Sequence, residues 1–192
     1  MDTNFYKDPD IKFDIAKLQS ALKEVDSRVA RQSPLGERDI NAICLTQIPG
    51  DANSITGGNV RGLFWTKPNS TYEEVQREEP IDESKYSEFV KLFEDTYFKE
   101  VYNELTKKYT LGRIRLLWKL PRTTLSWHRD PEPRLHIPIV TNFGARMCID
   151  TEVRHMPADG SVWITDNTKY HNAFNGGEED RVHLVATVIN QL

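Results

Sequence analysis

The chain has 192 residues, 38% of them hydrophobic and 28% charged, with a formal charge of -4. That composition suits one globular domain with a substantial core and excludes a disordered or low-complexity chain. It offers no global basic field to recruit nucleic acid, and no apolar run approaches the ~18 residues of a membrane span. The polar, acidic N-terminus lacks the basic and apolar regions of a secretory signal. With Cys44 and Cys148 as its only cysteines, the chain carries no disulfide framework, and a reducing cytoplasm is the expected compartment.

In chain order, Ile11, Ile15, Leu18, Leu22, Val25 and Val29 recur at steps of three and four, which predicts one amphipathic helix. Residues 42–48 and 60–66 read as strands around a Gly/Asn/Asp-rich turn at 50–59. A second helix is expected from Ser84, after the acidic Asp82 and Glu83 that suit a helix start. Its stripe of Tyr86, Phe89, Val90, Phe93, Tyr97, Val101 and Leu105 reads as core packed on a sheet.

From Gly112 the pattern becomes β. Ile114, Leu116, Trp118 and Leu120 share one face of a strand over 113–120, and Arg113, Arg115, Leu117 and Lys119 share the other. Further strands are expected at 134–141, 145–151, 161–165 and 181–190, punctuated by turns rich in Asn, Asp and Gly. Many short strands with frequent turns predict a mainly β fold, an antiparallel sandwich or barrel with helices covering one sheet.

The chemistry-bearing unit is Ser126-Trp127-His128-Arg129-Asp130-Pro131. His128 and Asp130 are two apart, so on an extended segment an imidazole and a carboxylate point to the same side. With His171 they would form a two-histidine, one-carboxylate set, leaving one face of an octahedral Fe(II) open to a bidentate 2-oxo acid and O2. Arg181 opens the last strand, RVHLVATVI, whose other residues read as largely buried. An unpaired buried guanidinium is costly, so an anionic partner is expected, and the planar fork suits a carboxylate.

His128-x-Asp130, then His171, then Arg181 resembles the double-stranded β-helix 2-oxoglutarate oxygenases. Pro121 before His128, the Arg134-Leu135-His136 pair after it, and Gly160-Ser161-Val162-Trp163-Ile164-Thr165-Asp166 leading to His171 are similar to the aspartyl/asparaginyl β-hydroxylase group, which includes free-proline hydroxylases. The likeness covers residues 112–190. It implies a jelly-roll, cupin-like core with N-terminal helices packed on one sheet. It also implies one domain over 1–192, with 1–111 as support and 112–190 as the metal-binding β core.

By that resemblance His128, Asp130 and His171 hold Fe(II), and Arg181, Arg134 and His136 hold the co-substrate 2-oxoglutarate. The sequence departs from many members in carrying Leu117 where a hydroxyl residue assists the co-substrate arginine, so that hydrogen bond must come from elsewhere. Among weaker candidates, His183 shares a face with Arg181 and reads either as a residue supporting the site or touching substrate, or equally as a satisfied core histidine, and His155 reads as solvated. Trp127 and Trp163 read as packing residues.

The implied activity is hydroxylation of an unactivated carbon of an amino acid, free or as a side chain in a protein. Retention of Asp130 argues against halogenation. Substrate loops are expected at 50–60, 67–83 and 121–127, and Arg122, Arg129 and Arg134 near the metal segment suggest a carboxylate-bearing substrate. No membrane or nucleic-acid partner is expected. Two alternatives remain at this point: a zinc hydrolase using the same ligands, and a non-catalytic cupin-like binding module.

Overall fold

The computed structural model describes residues 3–32, 40–56, 63–67, 69–77 and 81–191. The first apolar stripe is divided between two elements. Ile11 belongs to strand β1 (Phe5–Lys12), and helix α1 (Ile15–Arg28) begins only after Asp14. The Asp14 carboxylate accepts from the backbone N–H groups of Ala16 and Lys17 at 2.9 and 3.1 Å. That N-cap satisfies donors which a helix start leaves without partners, so the helix starts at Ile15 and not at Ile11.

Strands β2 (Ile40–Cys44), β3 (Thr46–Gln47), β4 (Phe64–Thr66) and β5 (Glu74–Gln76) follow. Residues 57–62 of the expected turn and strand lie outside the described residues. The second helix is much shorter than its aromatic stripe predicts. Residues 83–85 and 91–93 form single 3-10 turns, β6 (Glu88–Phe89) pairs with β3, and helix α2 runs only over Tyr97–Leu105. The Val90 N–H donates to the Leu45 carbonyl at 2.9 Å, so this stretch directs a backbone donor to the link between β2 and β3 instead of to a helical carbonyl.

The β region comprises β7 (Tyr109–Lys119), β8 (Thr123–Thr124), β9 (His128–Arg129), β10 (Arg134–Val140), β11 (Ala145–Ile149), β12 (Glu152–Arg154), β13 (Ser161–Thr165), β14 (His171–Asn175) and β15 (Arg181–Gln191). One antiparallel sheet has the order β1-β13-β10-β15-β7-β2; a second has the order β12-β11-β14-β9-β4-β5, with β8 also on β14. This is the expected mainly β jelly-roll, with two α-helices among the described residues. Strands β1, β2, β4 and β5 from the first 111 residues are members of these sheets.

The first sheet has two unlike faces, both buried. Ile114, Leu116, Trp118, Leu135, Ile137, Ile139, Val162, Ile164, Leu184 and Ala186 form the main core with Leu18, Leu22 and Val25 of α1 and Phe98, Val101 and Leu105 of α2. The register places Arg134 opposite Thr165 and Thr187, His183 opposite Leu117, and Arg181 opposite Lys119 on the other face. Arg113, Arg115 and Lys119 are 1%, 4% and 1% exposed, so the charged face of β7 points inward. Among the described residues no helix is long and apolar enough to cross a membrane.

Gly160 fixes the junction between β13 and the end of β1. Its φ is +82°, and a Cβ there would lie 1.9 Å from the Phe13 carbonyl oxygen. That position needs both a left-handed backbone and close approach, which only glycine supplies without strain. Gly160→Ala is expected to lower unfolding stability by more than about 1 kcal/mol, read as a fall in urea midpoint at constant slope. An unchanged midpoint would show that the junction relaxes freely.

Candidate active site

His128 on β9 and His171 on β14 are directly paired across the second sheet, with ring centroids 4.2 Å apart. Asp130 follows β9, and its backbone N–H donates to the Asn167 carbonyl at 2.8 Å, which ties the two ligand-bearing segments together. One candidate ligand atom from each of His128, Asp130 and His171 lies within 4.8 Å of the others, and all three residues are buried.

The chemistry of this donor set suits a metal. His128 Nδ1 donates to the Ser126 carbonyl at 2.8 Å, and His171 Nδ1 to the Lys169 carbonyl at 3.0 Å. Each bond fixes the tautomer that leaves an Nε2 lone pair. Burial, with His128 beside it, lowers the His171 pKa to about 3, so the ring is neutral near pH 7. Burial would raise the Asp130 carboxyl, but Arg134 and the two histidines hold it below the usual carboxylate range, so it is ionised. Two imidazoles and one carboxylate are a ligand set for non-haem Fe(II).

Asn167, which the sequence marks only as a turn residue, is part of this arrangement. Its amide nitrogen donates to His171 Nε2 at 2.8 Å, and its side-chain oxygen accepts from the Thr165 hydroxyl at 2.6 Å. The lone pair that receives the amide is the one available to a metal. An Asx turn in a sequence gives no hint of such a reach.

Arg181 lies inside the sandwich and is 7% exposed. Burial lowers its pKa to about 9, which still leaves it charged near pH 7. Among the described residues no carboxylate pairs with it. Its Nη2 donates instead to His183 Nδ1 at 2.7 Å. His183 sits opposite Leu117, so the hydrogen bond that Leu117 cannot make to this arginine comes from the arginine's own strand, two residues along. His136 Nδ1 makes a long 3.5 Å contact with His183 Nδ1. The Nε2 atoms of both histidines are buried without a partner. Burial, first of several causes that include Arg181, holds both rings far below the usual histidine range, hence neutral. A buried cation beside unpartnered ring nitrogens fits an anionic co-substrate.

Other expected residues are placed differently. Arg134 has Nε on Asp130 at 2.7 Å and Nη1 against Glu83 and Thr187, so two carboxylates already occupy it. Arg129 pairs with Glu74 at 3.0 Å and Arg122 with Glu178 at 2.7 Å. All three arginines of the supposed cationic mouth therefore have acidic partners, which removes the charge argument for a carboxylate-bearing substrate. His155 is half-buried rather than solvated, with Nδ1 on the Ala145 carbonyl at 2.9 Å. Trp163 packs with Phe5, Met147, Ile149 and Met156 in a small apolar cluster between the sheets. Glu83 escaped notice as a site residue because its sequence context reads as an acidic helix start.

A double-stranded β-helix holding a two-histidine, one-carboxylate cluster and a buried arginine defines a class, the non-haem iron oxygenase. Residues 77–191 match the aspartyl/asparaginyl beta-hydroxylase family over more than half of the chain, and the protein belongs to that family. It is a dioxygenase of the hydroxylase type, with Fe(II), 2-oxoglutarate and O2 as its cofactor and co-substrates. The family sets aside the zinc-hydrolase and binding-module alternatives. No curated protein sequence matches the chain.

Two of the solved structures similar to this chain illustrate the shared fold. One is a 2OG-Fe(II) oxygenase family oxidoreductase from Burkholderia pseudomallei, with a TM-score of 0.52 and 15% identity over 96% of this chain and 84% of that one. The other is the viral collagen prolyl hydroxylase vCPH of Paramecium Bursaria Chlorella virus-1, in its 2OG complex. It has a TM-score of 0.52 and 9% identity over 97% of this chain and 96% of that one.

Proposed function

We propose that His128, Asp130 and His171 hold Fe(II), that Arg181 receives the distal carboxylate of 2-oxoglutarate, and that the protein hydroxylates an unactivated carbon of an amino acid, free or within a protein. In this reading residues 1–192 act as one oxygenase domain, in the cytoplasm. The observation that carries it is the buried His128, Asp130 and His171 cluster together with the buried Arg181 guanidinium, which pairs with no carboxylate among the described residues.

Bound iron with its co-substrates supplies the oxidising power that inserts oxygen into a C–H bond, with release of succinate and carbon dioxide. The protein's part is to bind, orient and exclude water. The backbone carbonyls of Ser126 and Lys169 orient the two imidazoles, and Arg134 engages one side of the Asp130 carboxylate. His183 aims the Arg181 guanidinium, and His136 contributes a further ring nitrogen to the same wall. The cluster of Phe5, Met147, Ile149, Met156 and Trp163 keeps that part of the interior apolar and dry.

The test is anaerobic addition of Fe(II) and 2-oxoglutarate, in which a weak visible charge-transfer band is expected, followed by turnover with free amino acids and short peptides. Succinate release coupled to a product heavier by one oxygen atom supports the reading. Coupled turnover confined to nucleobases or lipids overturns the substrate class.

Arg181→Lys tests the co-substrate contact separately. Lysine keeps the charge but loses the two-pronged geometry, worth roughly 1.5–3 kcal/mol for a charge-assisted contact. The apparent KM for 2-oxoglutarate is therefore expected to rise at least about tenfold, with iron content unchanged. Identical 2-oxoglutarate titrations of variant and parent would assign the carboxylate to another residue.

A further inference from the structure

One oxygen of the Asp130 carboxylate is engaged before any metal arrives. Arg134 Nε donates to Asp130 Oδ2 at 2.7 Å, while Arg134 Nη1 meets the Glu83 carboxylate and the Thr187 hydroxyl. The Thr187 hydroxyl donates to the same Glu83 oxygen. The other Glu83 oxygen accepts from Arg113 and lies 3.5 Å from Arg115. Every member is buried: Glu83 is 6%, Arg134 5%, Asp130 7% and Thr187 1% exposed.

Glu83 arrives from a 3-10 turn, 51 residues before Arg134, that is itself capped by the Asp82 side chain. A guanidinium bound at Nη1 by an acid and a hydroxyl cannot rotate without breaking both bonds, so its Nε is fixed in place. Fixing Nε fixes the oxygen that it binds, and the opposite carboxylate oxygen is left for a metal. Groups that orient a metal ligand from outside are worth about 10–100-fold in affinity.

We propose that Glu83, with Thr187, is a positioning residue for the metal centre: it anchors Arg134, and Arg134 holds one oxygen of Asp130 so that the other faces His128 and His171. This rests on the metal-binding reading above. A purely structural role, compensating buried arginines, would place the same residues in the same contacts, so the two roles have to be separated by experiment.

Two variants preserve net charge and avoid a simple through-space effect on the cation. Glu83→Asp shortens the acid by one methylene, and Thr187→Val removes one hydroxyl. Each is made in the parent and in Asp130→Ala, and Co(II) affinity is measured anaerobically by titration calorimetry. Each is expected to weaken binding about tenfold when Asp130 is present, and by less than about twofold in Asp130→Ala, where nothing remains to be positioned. Equal weakening in both backgrounds, or none in the parent, would overturn the proposal. Thermal melts of the metal-free variants confirm folding, and Thr187→Val carries the test alone if Glu83→Asp does not fold. A parent chain that binds no divalent metal would overturn the metal site itself, a result the first titration separates from the others.

Discussion

His128→Ala and His171→Ala are each expected to abolish Fe(II) binding at micromolar metal. An outer partner of a ligand is worth about 10–100-fold in affinity, so loss of a ligand should exceed about a hundredfold. Both rings present Nε2 with Nδ1 tied to a backbone carbonyl, and His171 is neutral because burial lowers its pKa to about 3. Neither ring must swing into place, His171 has no proton to lose near pH 7, and the metal loses an oriented donor in each variant. Asp130→Ala should weaken binding less, since two imidazoles remain, but remove most turnover. The measurement is metal content after anaerobic loading and desalting, with circular dichroism to confirm the fold. Unchanged iron stoichiometry in both histidine variants would sink the ligand assignment.

The metal-free chain is expected to lose stability steeply as the pH drops below about 6.5, the usual histidine value. His136 and His183 are held far below that value by burial first, and the charges facing them reinforce it. Arg181, His171 and Arg134 face His136, with Asp130 opposing them; Arg181, His136 and His155 face His183. In the unfolded chain each ring takes up a proton as the pH falls through about 6.5, whereas the folded chain leaves both neutral.

The unfolded state then binds more protons, so stability is full above that pH and falls below it, by about 1.4 kcal/mol per pH unit for each ring. Urea unfolding at about pH 7, 6 and 5 measures the slope, and His183→Asn should reduce it by one ring's share. A flat profile down to about pH 5 would mean that both rings accept protons in the native fold, which the buried site does not allow.

The residues of the candidate site were largely legible in order along the chain. An extended H-x-D places His128 and Asp130 on one side because strand side chains alternate, and that holds whatever surrounds them. The same alternation separates Leu116 and Trp118 from Arg113 and Arg115 in β7, and the three-and-four spacing marks α1 through Leu18, Leu22 and Val25. What periodicity states is that two faces differ. It does not state which face meets water, and the charged face of β7 would ordinarily be assigned to solvent.

Only the tertiary structure decided that this face lies inside, where Arg113, Arg115 and Lys119 are buried and the 3-10 turn at 83–85 sets the Glu83 carboxylate against Arg113 and Arg115. The same packing makes Glu83 a buried carboxylate instead of an exposed helix start, bound to the Arg134 whose Nε reaches Asp130. Local pattern also overpredicted the helix from Ser84, since the Val90 N–H found the carbonyl of Leu45, between β2 and β3, in place of a helical one. Pairings between charges 51 residues apart, such as Glu83 with Arg134, depend on how a 3-10 turn packs on a distant sheet, and no short-range pattern encodes that. The sequence by itself determined the ligand types, their spacing and the alternation of faces. The tertiary structure decided which charges face one another, because desolvation and Coulomb attraction act only once the sheets have met.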